Sequence, residues 1–243
     1  PVPTDADLVD AGRAIAAQRA TSPFLVYLRD KAILFNDRRT AFIMYGVQGR
    51  TWVALGDPVG PEPELSALIR DFLERCDDFG GVPVFYEVGK LHLHLYADFG
   101  LTFVKLGEEA KVNLTTFTLE GSHASRYRQA IKRLEKDGGS FRIIEPAGVP
   151  GVMTQLRTVS DDWLAAKASA EKGFSLGFFD ESYLTRFPVG VIERNDRIEA
   201  FANIWRGAGG EEVSIDLMRY HRDAPKGVME ALFVHLLIWG RDH

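Results

Sequence analysis

Charge-recognition and acid–base chemistry concentrates in two stretches of the second half of this chain. Val213-Ser214-Ile215-Asp216-Leu217-Met218-Arg219 alternates as a strand does, with Val213, Ile215 and Leu217 on one face and Ser214, Asp216 and Met218 on the other. A carboxylate near a guanidinium suits a substrate carrying both an ammonium and a carbonyl or phosphate, with Asp216 taking the cation and Arg219 the oxygen. In a regular strand Asp216 and Arg219 point to opposite faces, so a shared site requires a bulge or a strand end between them. The same two residues equally suit a plain ion pair at the end of a strand. Glu171-Lys172-Gly173-Phe174-Ser175-Leu176-Gly177-Phe178-Phe179 is a glycine-punctuated aromatic loop with one carboxylate, Glu171, and it either lines a pocket or caps a core.

His221, just past Arg219, is the histidine placed to act as a base. His92 and His94 share a face only if Leu91–Leu95 is a strand, and no third ligand stands near them, so they read as surface or packed histidines. His235 falls on the apolar side of the last helix and reads as a core residue. Cys76, the single cysteine, excludes an internal disulfide and a thiolate zinc site. No Gly-x-Ser-x-Gly elbow and no P-loop occurs, and neither a metal nor a cofactor is expected.

One further stretch stands out by charge. The chain carries 29 Lys+Arg against 34 Asp+Glu, a net charge of −5, which argues against a protein coated in basic residues for non-specific nucleic-acid binding. Yet Arg126-Tyr127-Arg128-Gln129-Ala130-Ile131-Lys132-Arg133-Leu134-Glu135-Lys136 sets Tyr127, Ala130, Ile131 and Leu134 on one helical face and gathers Arg126, Arg128, Lys132, Arg133 and Lys136 elsewhere. Either this is a solvated helix face, or it contacts RNA phosphates or lipid headgroups.

The elements that must position these residues follow from periodicity. Leu65, Leu68, Ile69, Phe72, Cys76 and Phe79 recur at helical spacing over 64–79, ended by Gly80-Gly81, which makes Cys76 a core residue. Strands are predicted at 33–36, 41–47 and 51–55 before this helix and at 83–88 after it. The order repeats as strands at 188–193, 198–205 and 213–219 followed by a helix from about 226. Third strand and helix are displaced by 162 residues between the copies, from 51 to 213 and from 64 to 226. A basic helix (125–137), a strand (140–145) and a helix (about 150–168) lie between.

The predicted fold is α/β (α+β), with tandem acetyltransferase-like (GNAT) units: 1–120, a basic connecting helix and strand at 121–145, and 146–243. Neither the proline-rich loop 56–63 nor the loop 221–227 supplies the glycine-rich turn that acyl-CoA pyrophosphate needs, which argues against acetyl-CoA as the donor. The longest apolar run, Ala231–Trp239, is interrupted by His235 and far shorter than the roughly 20 residues of a spanning helix. Pro1 in place of Met, and a second unit without its closing strand, predict a natural chain that continues.

With these segments in view, the chain resembles the soluble catalytic part of the bacterial phosphatidylglycerol lysyltransferases, the multiple peptide resistance factors or aminoacyl-phosphatidylglycerol synthases. The resemblance is carried by Glu171-Lys172-Gly173-Phe174-Ser175-Leu176-Gly177, by Phe201-Ala202-Asn203-Ile204-Trp205, and by Ser214-Ile215-Asp216-Leu217-Met218-Arg219-Tyr220-His221 running through Ala224-Pro225-Lys226-Gly227. It implies transfer of a lysyl or alanyl group from aminoacyl-tRNA to a glycerol hydroxyl of phosphatidylglycerol, without a cofactor. It also implies an N-terminal membrane-spanning flippase domain in the same natural chain and work at the cytoplasmic face of the inner membrane. The family's acidic loop position falls on Glu171 and its Asp-x-x-Arg pair on Asp216 and Arg219, which together make the expected catalytic set. Ser214, His221, Lys226 and Phe174 are expected at the substrate, and Arg126, Arg128, Lys132, Arg133 and Lys136 at tRNA or lipid phosphates. A lysine-containing motif of the family belongs beyond His243. Two other readings stand beside this one: a tRNA-dependent transferase acting on a peptide or cell-wall precursor amine, and a non-catalytic module binding RNA or anionic membrane.

Overall fold

The computed structural model describes residues 2–167 and 170–243. None of its helices is long and apolar enough to cross a membrane. Two compact units divide the chain. The first comprises the residues up to Glu108 with Gly173–Gly177 and Arg206–Glu212; the second comprises Glu109–Lys172, Phe178–Trp205 and Val213–His243.

In the first unit, α1 (Asp5–Ile15) begins on a capping box in which Thr4 and Asp7 exchange backbone and side-chain hydrogen bonds. Then β1 (Ala32–Phe35), β2 (Phe42–Gln48) and β3 (Thr51–Leu55) form an antiparallel meander, and after α2 (Glu62–Asp78) the strand β4 (Val82–Tyr86) pairs parallel with β3. This is the expected order of three strands, loop, helix and strand. The apolar stripe of α2 buries Leu68, Phe72 and Cys76 against Ala41, Ile43, Tyr45 and Ala54. Burial pushes the Cys76 thiol up to about 11, so it packs rather than reacts. Beyond β4 the chain turns into α3 (Leu93–Asp98), so Leu91–Leu95 is not a strand and His92 and His94 do not form a shared ligand face.

The second unit holds α4 (Ser125–Lys136), β5 (Gly139–Ile144), α5 (Val149–Lys167), α6 (Glu181–Leu184), β6 (Val189–Arg194), β7 (Arg197–Arg206), β8 (Val213–Tyr220) and α7 (Val228–Asp242). Ala168, the expected end of the α5 helix, lies outside the described residues. The four strands lie in the order β5-β6-β7-β8. On one face Ile192, Ala200, Ala202 and Ile204 meet Ala231, Leu232 and Leu236 of α7, and α4 adds Leu134 to the same cluster. His235 stacks on Phe141 at 4.9 Å, and burial holds its pKa below the ordinary value, in keeping with a packed histidine. The third strands keep the 162-residue offset, but the helix expected from about 226 starts at Val228. Gly227, at φ +85°, is left-handed and delays it.

Candidate functional site

β8 settles which of its side chains share a face. Val213 and Ile215 pack toward the α7 cluster, and so do Met218 and Tyr220, so the alternation slips by one residue between Ile215 and Met218. Strict alternation would have turned Leu217 and Arg219 toward α7. The slip instead leaves Asp216 and Arg219 both off that face, as the spacing of a shared site required.

Arg219 is the anchor of this side. Its side chain is 4% exposed, and its two terminal nitrogens donate to Glu171 Oε1 at 2.8 Å and Oε2 at 2.7 Å. One of them also donates to Ser160 Oγ of α5 at 2.6 Å, and the guanidinium lies 5.1 Å from the Trp163 ring centroid. Arg219 therefore makes its ion pair with Glu171, and not with Asp216 as one of the two readings of the sequence had it. A planar fork matches two carboxylate oxygens, and a buried guanidinium requires that match. Asp216, half-buried, takes a different donor: the Tyr183 hydroxyl of α6, at 2.6 Å from Oδ2. Burial, followed by the charge of Asp216, pushes the Tyr183 phenol far above its ordinary value, so it stays a neutral donor. Buried Asn203 braces the arrangement by accepting the Leu217 backbone N–H at 2.7 Å. Tyr183, Asn203, Ser160 and Trp163 are the supporting residues the sequence reading missed, and only Asn203 lay within a motif it had singled out. Ser214 is half-buried on β8.

His221 follows Arg219 on the same side. It is buried, its Nδ1 lies 3.1 Å from Asp162 Oδ2 of α5, and the backbone N–H of Arg222 donates to the same oxygen at 2.7 Å. Asp162, His221 and Asp223 bring ligand-capable atoms within 4.8 Å of one another, the one such trio among the described residues. Both carboxylates already face cations, since Arg197 forks Asp223 at 3.3 and 3.1 Å and the Arg222 guanidinium stands 3.7 Å from Asp162, so a metal ion would have to displace them.

The basic helix divides into two groups. Arg126 pairs with Glu230 at 3.1 Å, and Arg128 donates to the carbonyls of Leu119 and Gly121, so these two expected phosphate ligands brace the unit itself. Lys132, Arg133 and Lys136 instead line an open cleft of about 680 Å³, where Arg194 and Lys226 join them. Lys226, expected at the substrate, thus falls in with the phosphate-binding candidates. Phe174, also expected there, belongs to the first unit. Its N–H donates to Asp30 at 2.8 Å, its carbonyl accepts from buried Lys31 at 2.8 Å, and its ring lies against Gly46.

Comparison with known proteins identifies the family. The family described as "Phosphatidylglycerol lysyltransferase, C-terminal" matches residues 13–243. The phosphatidylglycerol lysyltransferase of Bacillus subtilis is 38% identical over 219 residues, 90% of this chain and 25% of that protein. A Staphylococcus aureus enzyme of the same name is 35% identical over 220 residues, 90% of this chain and 26% of its own length. The chain thus spans about a quarter of the curated relatives it matches. The solved structure of L-PGS from Bacillus licheniformis superimposes with a TM-score of 0.91 at 37% identity, covering 99% of this chain and 76% of that one. A C-terminal domain from Agrobacterium fabrum, assigned as a lysylphosphatidylglycerol synthetase, gives 0.94 at 40% identity, covering 98% and 75%. The chain therefore belongs to the phosphatidylglycerol lysyltransferase C-terminal domain family.

Proposed function

We propose that this chain is the transfer unit of an enzyme that moves an aminoacyl group from aminoacyl-tRNA to a glycerol hydroxyl of phosphatidylglycerol. The names of the relatives support the lipid acceptor and a lysyl group. The single observation that carries the reading is the slip in β8, through which Asp216 and the Arg219–Glu171 fork lie on one side of the strand. A carboxylate and a guanidinium on one side suit a substrate with a cationic amine and an electron-rich oxygen.

The chemistry needs no cofactor. An aminoacyl ester is already activated, and moving it to a second alcohol exchanges ester for ester, so the protein must align donor and acceptor and stabilise the oxyanion. Asp216, oriented by Tyr183, holds the ammonium of the aminoacyl group. Arg219 faces the ester carbonyl or a neighbouring phosphate, and Glu171 acts on the reaction by fixing Arg219. Lys132, Arg133, Lys136, Arg194 and Lys226 receive phosphates of the tRNA. The natural protein works at the cytoplasmic face of a membrane beside a membrane-spanning flippase domain.

Incubating the full-length protein with individually charged tRNAs and phosphatidylglycerol vesicles, followed by lipid analysis, tests this. Aminoacyl-phosphatidylglycerol is the expected product. Transfer to a peptide amine with the lipid untouched, or RNA binding without deacylation, contradicts it.

A further inference from the structure

His221 stands two residues beyond Arg219, just past the end of β8, and both meet α5, Arg219 through Ser160 and His221 through Asp162. The backbone N–H of Arg222 and the imidazole hold the Asp162 carboxyl below the usual carboxylate range. An ionised carboxylate can only accept, so Nδ1 is the donor and the imidazole lone pair lies on Nε2. Among the described residues none hydrogen-bonds Nε2, and the His221 side chain keeps 6% of its surface exposed. The other charged groups facing this corner are Arg222 beside Asp162, Asp223 on the following turn, and Arg197 and Glu199 of β7. Arg197 forks Asp223, and the Glu199 carbonyl accepts the His221 backbone N–H at 2.9 Å.

Resting on the transfer reaction above, we propose that His221, oriented by Asp162, is the proton-transfer group of that reaction. As the acceptor hydroxyl oxygen bonds to the ester carbon, Nε2 takes its proton. As the carbon–oxygen bond to the ribose breaks, Nε2 returns that proton to the leaving oxygen. Atoms and electrons balance with no further reagent. Two residues of chain span at most about 7 Å, so a carbonyl at Arg219 and a hydroxyl at His221 can belong to one reacting pair. Asp162 is a positioning residue: it sets the tautomer and holds the ring.

A purely structural clamp between Asp162 and the turn at 221–222 predicts a different outcome from this role, and the full-length protein distinguishes them. His221→Asn keeps an N–H donor where Nδ1 sits and removes Nε2. Expected is a loss of roughly 100-fold or more in kcat. KM for charged tRNA and for phosphatidylglycerol stays within about 3-fold, the melting temperature is unchanged, and the acid limb of the kcat–pH profile disappears. Asp162→Asn, which reverses the tautomer, lowers kcat with the same signature. If His221→Asn does not fold, the wild-type profile carries the test, because a kcat flat between about pH 5 and 8 overturns the proposal. A His221→Asn enzyme with wild-type kcat and acid limb, or with a loss confined to KM or melting temperature, also overturns it and leaves the transfer reaction standing. A wild-type protein that makes no aminoacyl lipid overturns both.

Discussion

Arg219 closes a two-pronged contact on Glu171, 48 residues earlier in the chain, at 2.8 and 2.7 Å. The contact ties the aromatic loop's carboxylate to the strand that also carries Asp216, and it divides the labour between the two acids. Glu171 balances a buried guanidinium, while Asp216 lies off the fork, held by a phenol.

Removing Glu171 strands a buried cation whose remaining hydrogen-bond acceptor, among the described residues, is Ser160. Loss of one partner of a fully buried pair costs about 3–5 kcal/mol. Glu171 is 32% exposed, so water replaces part of what is removed, and Glu171→Ala is expected to destabilise by about 1–3 kcal/mol. A double-mutant cycle with Arg219→Ala in denaturant unfolding should return most of that as coupling.

Tyr183→Phe keeps the buried ring and removes the hydroxyl that orients Asp216. With Asp216 half-buried and reachable by water, stability should fall by only about 0.5–1.5 kcal/mol. Aminoacyl transfer should fall further, by about tenfold, as the carboxylate loses its fixed rotamer. Equal losses in unfolding free energy and in transfer would count against an orienting role.

In the first unit, His92 supplies a pH dependence. Burial alone would lower its pKa, but Asp57 at 3.3 Å and Glu62 at 3.1 Å outweigh that and raise it. A raised folded pKa means the protonated ring stabilises the fold fully below the unfolded value near 6.5, and this contribution is lost as pH rises through the folded value. Wild-type stability should therefore decline above pH 6.5 more steeply than that of His92→Gln, as read by denaturant midpoints across pH.

The division within α4 predicts different phenotypes for its cations. Replacing Lys132 and Lys136 with Ala should weaken tRNA binding and reduce the log–log salt slope by about 0.7–0.9 for each phosphate that is no longer neutralised. Arg128→Ala should leave that slope unchanged and lower the melting temperature, because it removes hydrogen bonds to the Leu119 and Gly121 carbonyls.

Periodicity carried most of the architecture. The stripe through Leu65, Leu68, Phe72 and Cys76 becomes α2, and the alternating segments become the strands of two four-stranded sheets. The short helices α3 and α6 were not anticipated, because one or two turns leave little apolar repeat to read, and α1 was missed although Leu8, Ala11 and Ile15 recur at helical spacing behind the Thr4 cap. The site was legible in its residue types and not in its pairings. Asp216, Arg219, Glu171 and His221 all stand out in sequence, whereas their partners Tyr183, Ser160 and Asp162 come from helices whose spacing to β8 exists only in the folded unit. Buried Lys31, held by Asp30 and the Phe174 carbonyl, left no sequence signal, since a lysine is ordinarily a surface residue.

Capture of the substrate's cationic amine by Asp216 is tested most directly by a cycle in the full-length enzyme. Transfer to phosphatidylglycerol is measured from charged tRNA with a free and with an N-acetylated α-amine, using wild-type protein and Asp216→Ala. A buried ammonium–carboxylate pairing is worth about 3 kcal/mol, so acetylation of the bound amine or removal of the carboxylate should each slow transfer more than about 100-fold. The two losses should not add; where a lysyl ε-amine is the bound group, its acetylation takes the place of the α-modification. Undiminished transfer by Asp216→Ala, or full additivity of the two changes, contradicts the assignment.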